Sequence, residues 1–339
     1  SRLLNLSFVV FAGLVGGIIS AFFLADSLAA LGIPDPGRIT TFGLPFFRAA
    51  AWMLMALSIG SFMASAFFIY PAVPDKDNDQ LIRAGLTVDG HIAARTGAWA
   101  ALGTAVVSLL EVPLVMSDLT GTHIAQVLNP ELMGMAVGQI AASQVWLLTA
   151  GIAVLVSLVG FLARTWAGQV GAFFLSLLLT VPLGMEGHSA AGGDHDYGTN
   201  SLLLHLFFIM LWVGGLMGLI AHGRRLGPDM DVAVRRYSSV ALFSIVALAA
   251  TGVVNAFIRV ELSDLFSTRY GLLVLSKAVL TVVLAAVGYV HRSITIPQLK
   301  SSPRLFIRVS IVEVAIMAAT VGVAISMGRT PPPPPRDPN

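Results

Sequence analysis

The length of its nearly uncharged apolar runs limits this sequence more than any other feature. Residues 6–31, 44–70 and 311–327 each carry at most one formal charge, over the roughly 17–25 residues that a helix rising 1.5 Å per residue needs to cross a hydrocarbon layer of about 30 Å. A transmembrane barrel would instead show alternating segments of about ten residues, and an open sheet edge does not survive in lipid. The runs therefore predict an all-α fold, a polytopic transmembrane helical bundle. Composition agrees: 56% of the 339 residues are hydrophobic and 11% charged, too apolar for a water-facing surface of that size.

Apolar runs set against polar breaks predict about nine helices, near 5–32, 44–70, 92–116, 134–162, 168–186, 201–222, 237–260, 270–290 and 307–327. Eight is the alternative count, because 168–186 contains Pro182 and Gly184 and is expected to end in an irregular turn. The first run is longer than a signal-peptide core and reads as a retained helix.

Lys and Arg sort unequally between the two sides. One side collects Arg2, Lys76, Arg83, Arg95, Arg164, Arg224, Arg225, Arg235, Arg236, Arg292, Lys300, Arg304 and Arg308; the other holds Arg38, Arg48, Arg259, Arg269, Arg329 and Arg336, with Lys277 inside a helix. Loops rich in these residues stay cytoplasmic, so the amino terminus is expected inside and the carboxyl terminus outside. The sequence ends in a polyproline tract, a stiff extended spacer. The expected organisation is 1–199, amino-terminal helices with an extracytoplasmic histidine loop from about 186; 200–328, a four-helix region; and 329–339, a Pro-rich linker or tail.

There is no cysteine, so thiolate sites and disulfides are excluded and soft-metal chemistry falls to Met and His. The segment Met185-Glu186-Gly187-His188, followed by His195 and then His205, gathers three imidazoles, a thioether and carboxylates within about twenty positions on the expected outer side. Imidazole with thioether and no thiolate points to copper more than to zinc. The plain alternative is a solvated polar loop. His205 lies inside an apolar run, where an ionisable group is costly and by default faces protein or a cavity; helical spacing puts Phe208, Ile209 and Trp212 on its face.

Asp26, Glu111, Asn255 and Lys277 also fall in outer halves of helices and are expected to line a pathway or to pair, Lys277 with Glu111 or Asp26. Glu313, in the inner half of the last helix, is expected to balance an arginine. His91, His222 and His291 read as caps at the cytoplasmic interface. Two imidazoles facing each other would suit a haem, the rival cofactor, in an electron-transfer protein. Neither a Walker loop, a Gly-x-Ser-x-Gly elbow, a His-Glu-x-x-His helix nor a dinucleotide fingerprint occurs, so an enzyme is not expected, and no basic run suits nucleic acid.

From residue 200 onward the sequence resembles the copper resistance protein D (CopD) family. The resemblance rests on His205 followed by Leu211-Trp212-Val213-Gly214-Gly215-Leu216, then Arg236-Tyr237-Ser238, Thr251-Gly252, and Tyr270-Gly271 leading to Lys277 and His291-Arg292. The preceding histidine loop and the polyproline end look like the actinobacterial arrangement in which a CopD region is joined to a CtaG-type oxidase-assembly region. This resemblance implies copper as cargo at the outer face of a bacterial plasma membrane, with delivery to a cytochrome oxidase complex as one use. It makes His188, His195, His205 and Met185 the expected ligands. A non-metal-binding assembly subunit is the third reading.

Overall fold

The computed structural model describes residues 2–31, 34–71, 78–186, 195–259 and 265–330, with side chains at all of these except 2, 23–31, 185–200, 228 and 254–259. Among the described residues the regular elements are helices, apart from one bridge between Gly85 and Thr165. In chain order they are α1 (Arg2–Leu31), α2 (Arg38–Met63), α3 (Asn78–Arg83), α4 (Val88–Thr120), α5 (Ile124–Val127), α6 (Pro130–Gln139), α7 (Ala141–Leu162), α8 (Trp166–Leu177), α9 (Thr180–Glu186), α10 (His195–His222), α11 (Met230–Arg259), α12 (Arg269–Val290) and α13 (Pro303–Gly328). Nine spans among the described residues are long and apolar enough to cross a membrane, with α8 and α9 together making the fifth.

Local chemistry explains where the helices begin and stop. Thr87, Thr165 and Thr268 cap α4, α8 and α12, each Oγ1 accepting from a glycine N–H three residues on, which satisfies one of the orphan donors of a helix start. The predicted helix over 134–162 is divided, because Ile140 is extended and Gln144 Nε2 donates to the carbonyls of Val137 and Gly138, at 3.3 and 3.2 Å, that end α6. The irregularity expected near Pro182 lies upstream, at Leu178–Leu179. Proline lacks the N–H that would reach the carbonyl four residues back, and its ring crowds that carbonyl; here that is Leu178, where α8 stops.

α2 is the central element, largely buried from Ala49 to Met63, and it packs on α1, α4, α8 and α10. Its contact with α10 is backbone on backbone. A Cβ at Gly60 would stand 1.7 Å from the Gly214 carbonyl oxygen, and one at Gly214 would stand 2.2 Å from that of Ala56. In lipid, helices associate through such close packing rather than through apolar burial. α1 and α13 meet likewise, with Ser326 Oγ donating to Gly16 O at 3.2 Å. α12 is peripheral: of its residues only Tyr270, Gly271, Leu273 and Leu284 are buried, and it rests on α13.

Short π-turns extend two helices, Ala64–Phe68 after α2 and His291–Thr295 after α12. Carbonyls at the first are taken by Arg236 Nη1, to Phe67 O at 3.0 Å, and by Trp166 Nε1, to Ala66 O at 2.8 Å. The Arg236 guanidinium also lies over the Tyr70 ring, 4.4 Å from its centroid. Tyr237 donates to Trp212 O at 2.9 Å, and a Cβ on Gly215 would strike the Tyr237 ring. The Trp-Val-Gly-Gly and Arg-Tyr motifs therefore form one joint between α2, α10 and α11.

Candidate metal centre

His205 sits in the first half of α10 and is buried. Its Nδ1 lies 2.8 Å from Thr251 Oγ1 on α11, and that hydroxyl donates to Ala247 O, also at 2.8 Å. With the hydroxyl hydrogen used on Ala247, the oxygen accepts from His205, so the network assigns the proton to Nδ1 and leaves the lone pair on Nε2. Lys277 Nζ of α12 is 3.4 Å from Nε2, and an ammonium can only donate, which fixes the imidazole as neutral. The resemblance motifs converge here: Gly252 leaves room beside the ring, where an added Cβ would come to 3.7 Å of Cε1.

His205 and Lys277 open onto a cavity of about 330 Å³ between α10, α11, α12 and α13. Its walls are apolar, from Trp52, Trp212 and Tyr270 to Val274, Met317 and Met327. An imidazole oriented through its other nitrogen, together with thioethers in a water-poor chamber, is a donor set suited to a soft monovalent ion. Among the described residues there is no cluster of three His, Asp or Glu side chains able to hold a metal.

The other expected site residues distribute unevenly. His188 lies outside the described residues; Met185 and Glu186 end α9 and His195 begins α10, but their side chains lie outside the described set, as do those of Asp26 and Asn255. Glu111 is fully buried and faces Arg48 across α2 and α4, Oε2 to Nε at 3.4 Å, while the described contact of Lys277 is with His205. The Arg48 guanidinium lies 5.4 Å from the centroid of the buried Trp146 ring. Nearby, Arg329 pairs with Asp118, tying the end of α13 to α4; burial draws the Arg329 guanidinium below its ordinary value, and Asp118 acts in the opposite direction. Sequence reasoning passed over Met317 and Trp52, which carry no charge or motif of their own, and had Thr251 only as part of the Thr251-Gly252 resemblance motif; its place across from His205 needed the helix pairing.

At the other end of the bundle two expectations change. His222 closes α10 and His291 is the C-cap of α12, as expected of helix ends, but both are buried, with 4% and 7% exposure. Glu313 balances no arginine among its described contacts; its Oε2 is 3.0 Å from His291 Nε2. The Phe306 ring packs against the imidazole, the ring centroids 4.9 Å apart.

Fold and site thus define a multi-pass helical membrane protein with an oriented imidazole facing an apolar cavity that includes Met317 and Met327. Comparison with known proteins carries this further. The family model described as copper resistance protein D matches residues 231–327, and that described as the copper resistance protein D-like N-terminal domain matches 39–196. The chain belongs to the copper resistance protein D family. It is 29% identical over 216 residues to the copper transport protein CutJ of Bacillus subtilis (strain 168), covering 59% of this chain and 39% of that protein. It is 24% identical over 193 residues to the inner membrane protein YebZ of Escherichia coli (strain K12), covering 55% of this chain and 66% of that protein. The aligned region is thus shorter than two thirds of either relative. No solved structure matches the chain.

Proposed function

We propose that this protein captures copper at the extracytoplasmic face and transfers it into the membrane bundle through the His205 cavity, for transport or for delivery. The observation that carries the reading is the tautomer of His205: Thr251 holds Nδ1–H, so the Nε2 lone pair points at a chamber that also presents the Met327 thioether. Thioether with imidazole favours Cu(I). Copper arriving at Nε2 displaces the Lys277 ammonium from that nitrogen. The histidine loop, with Met185, His188 and His195, supplies the outer capture step, and the buried Glu111–Arg48 pair holds α2 to α4 beside the chamber.

This reading places the amino terminus in the cytoplasm and the His205 end outside. The absence of native cysteine makes that directly measurable: a single cysteine introduced at Thr330 reacts with a membrane-impermeant thiol reagent in intact cells, whereas one at Ser301 reacts only after lysis. Metal analysis of purified protein tests the site. The wild type retains stoichiometric copper, His205→Ala loses it, and so does the triple His188, His195, His205→Ala variant. A triple variant that keeps its copper contradicts the assignment, and a Soret band in the wild type moves the conclusion to haem-based electron transfer. Among recipients, the copper centre of a haem-copper oxidase, reached through a CtaG-type region, is the one implied by the sequence arrangement.

A further inference from the structure

His291 and Glu313 lie at the opposite end of the bundle from His205 and take no part in holding copper in the reading above. His291 begins the π-turn that ends α12, and a π-turn inside a helical segment is a feature often found at functional sites. Its Nδ1 is 2.6 Å from Thr295 Oγ1, whose hydroxyl donates to His291 O at 3.1 Å. Nδ1 is therefore a donor whatever the charge of the ring. Nε2 faces Glu313 Oε2 at 3.0 Å, with Ser310 Oγ at 3.5 Å. A bare Nε2 lone pair and a carboxylate oxygen cannot share 3.0 Å favourably, so one proton must lie between them.

The ionisable groups on the elements packed about this pair are few. Tyr237 of α11 is within electrostatic reach of Glu313. α10 ends with His222 and, just beyond it, Arg225. On α13 itself Arg304 and Arg308 are exposed, and α1 carries no ionisable residue between Arg2 and Asp26. No other carboxylate lies on α13; at the start of α11 Asp231 pairs with Arg235, and Arg292, next to His291 on the π-turn, is exposed.

Both helices that carry the pair also wall the copper cavity. α12 brings Lys277, Val274 and Thr281; α13 brings Met317, Thr320 and Met327. Lys277 precedes His291 by 14 positions on a single helix, a separation of about 21 Å at 1.5 Å per residue. We infer that His291 and Glu313 form a binding site for one exchangeable proton, which clamps the inner ends of α12 and α13 and is linked to occupancy of the cavity between their other halves. The balance is simple. A proton bound between Nε2 and Oε2 leaves an ion pair joining the helices; its departure to the adjoining aqueous side leaves neutral imidazole against carboxylate, and the clamp loosens. A copper ion entering the cavity adds positive charge to the same low-dielectric bundle, so copper binding and proton loss favour each other. The coupling rests on the proposed copper reading, whereas the proton site itself does not.

Infrared difference spectra of the purified wild type between acidic and neutral pH test the site without metal. Carboxylate and imidazole bands titrate together in the wild type, the carboxylate component vanishes in Glu313→Gln, and Glu313→Asp moves the midpoint. Should Glu313→Gln fail to fold, the shift in Glu313→Asp serves alone. Wild-type and variant spectra that superimpose overturn the site. In weakly buffered solution, Cu(I) addition releases at least twofold fewer protons from Glu313→Gln than from wild type; equal release overturns the coupling. Wild type that binds no copper sinks the copper reading instead, and leaves the infrared result to decide the proton site.

Discussion

The two ends of the bundle hold the same device in opposite surroundings. At each, a buried histidine gives its Nδ1–H to a threonine hydroxyl, Thr251 for His205 and Thr295 for His291, and that hydroxyl is spent on a backbone carbonyl. What differs is the group facing Nε2. Opposite His205 stands Lys277, a cation that can only donate, so the nitrogen keeps its lone pair and the ring can coordinate a metal. Opposite His291 stands Glu313, a carboxyl group, so one proton lies between the nitrogen and the oxygen. In the proposed reading one side chain type serves metal coordination at one end and proton binding at the other, chosen by a single neighbour.

Breaking the frame breaks both ends. Gly214→Leu puts a branched side chain against the Ala56 carbonyl, where backbone cannot yield. Destabilisation at or above the upper end for overpacking, about 3 kcal/mol, is expected, read as loss of the folded peak in size-exclusion chromatography and a fall in Tm. Separating the ends is the next test. His205→Ala abolishes stoichiometric copper retention, while His291→Gln leaves copper affinity at neutral pH within about threefold, a difference of about 0.6 kcal/mol; equal losses in isothermal titration would erase the contrast. Smaller is the effect of the orienting hydroxyl. Thr251→Val lets the imidazole turn and weakens copper by about 10–100-fold, the usual cost of losing a partner behind a ligand, and Thr295→Val leaves copper affinity unchanged. Smallest is Lys277→Met, which removes the ammonium that copper displaces. One charge-assisted hydrogen bond of about 1.5 kcal/mol corresponds to roughly tenfold tighter copper; weaker binding would mean that Lys277 helps to hold the ion.

Hydropathy made the membrane bundle legible because each span must satisfy its own backbone in lipid and so leaves a continuous apolar signature. His205 was legible for the same reason, since an ionisable residue in such a run is conspicuous. Its partners were not. Thr251 stands out only as half of a Thr-Gly resemblance motif, with no role, until α11 is laid against α10, and Met317 and Met327 look like any apolar filling until α12 and α13 are seen to wall one cavity. Glu313 was visible as a buried charge, but its expected partner was an arginine, because the charge rule speaks of loops and cannot say that the π-turn after α12 brings His291 inward. The break at Leu178 was displaced from its expected place for a local reason: proline acts on the carbonyl four residues before it, not on its own position.

X-ray absorption at the copper edge, on wild-type protein loaded with Cu(I) and on the His205→Ala variant, tests the central claim most directly. The account predicts nitrogen and sulfur neighbours around copper in the wild type, a reduced sulfur shell in Met327→Leu, and no stoichiometric copper, hence no such nitrogen shell, in His205→Ala. Spectra from the wild type and His205→Ala that coincide would contradict it.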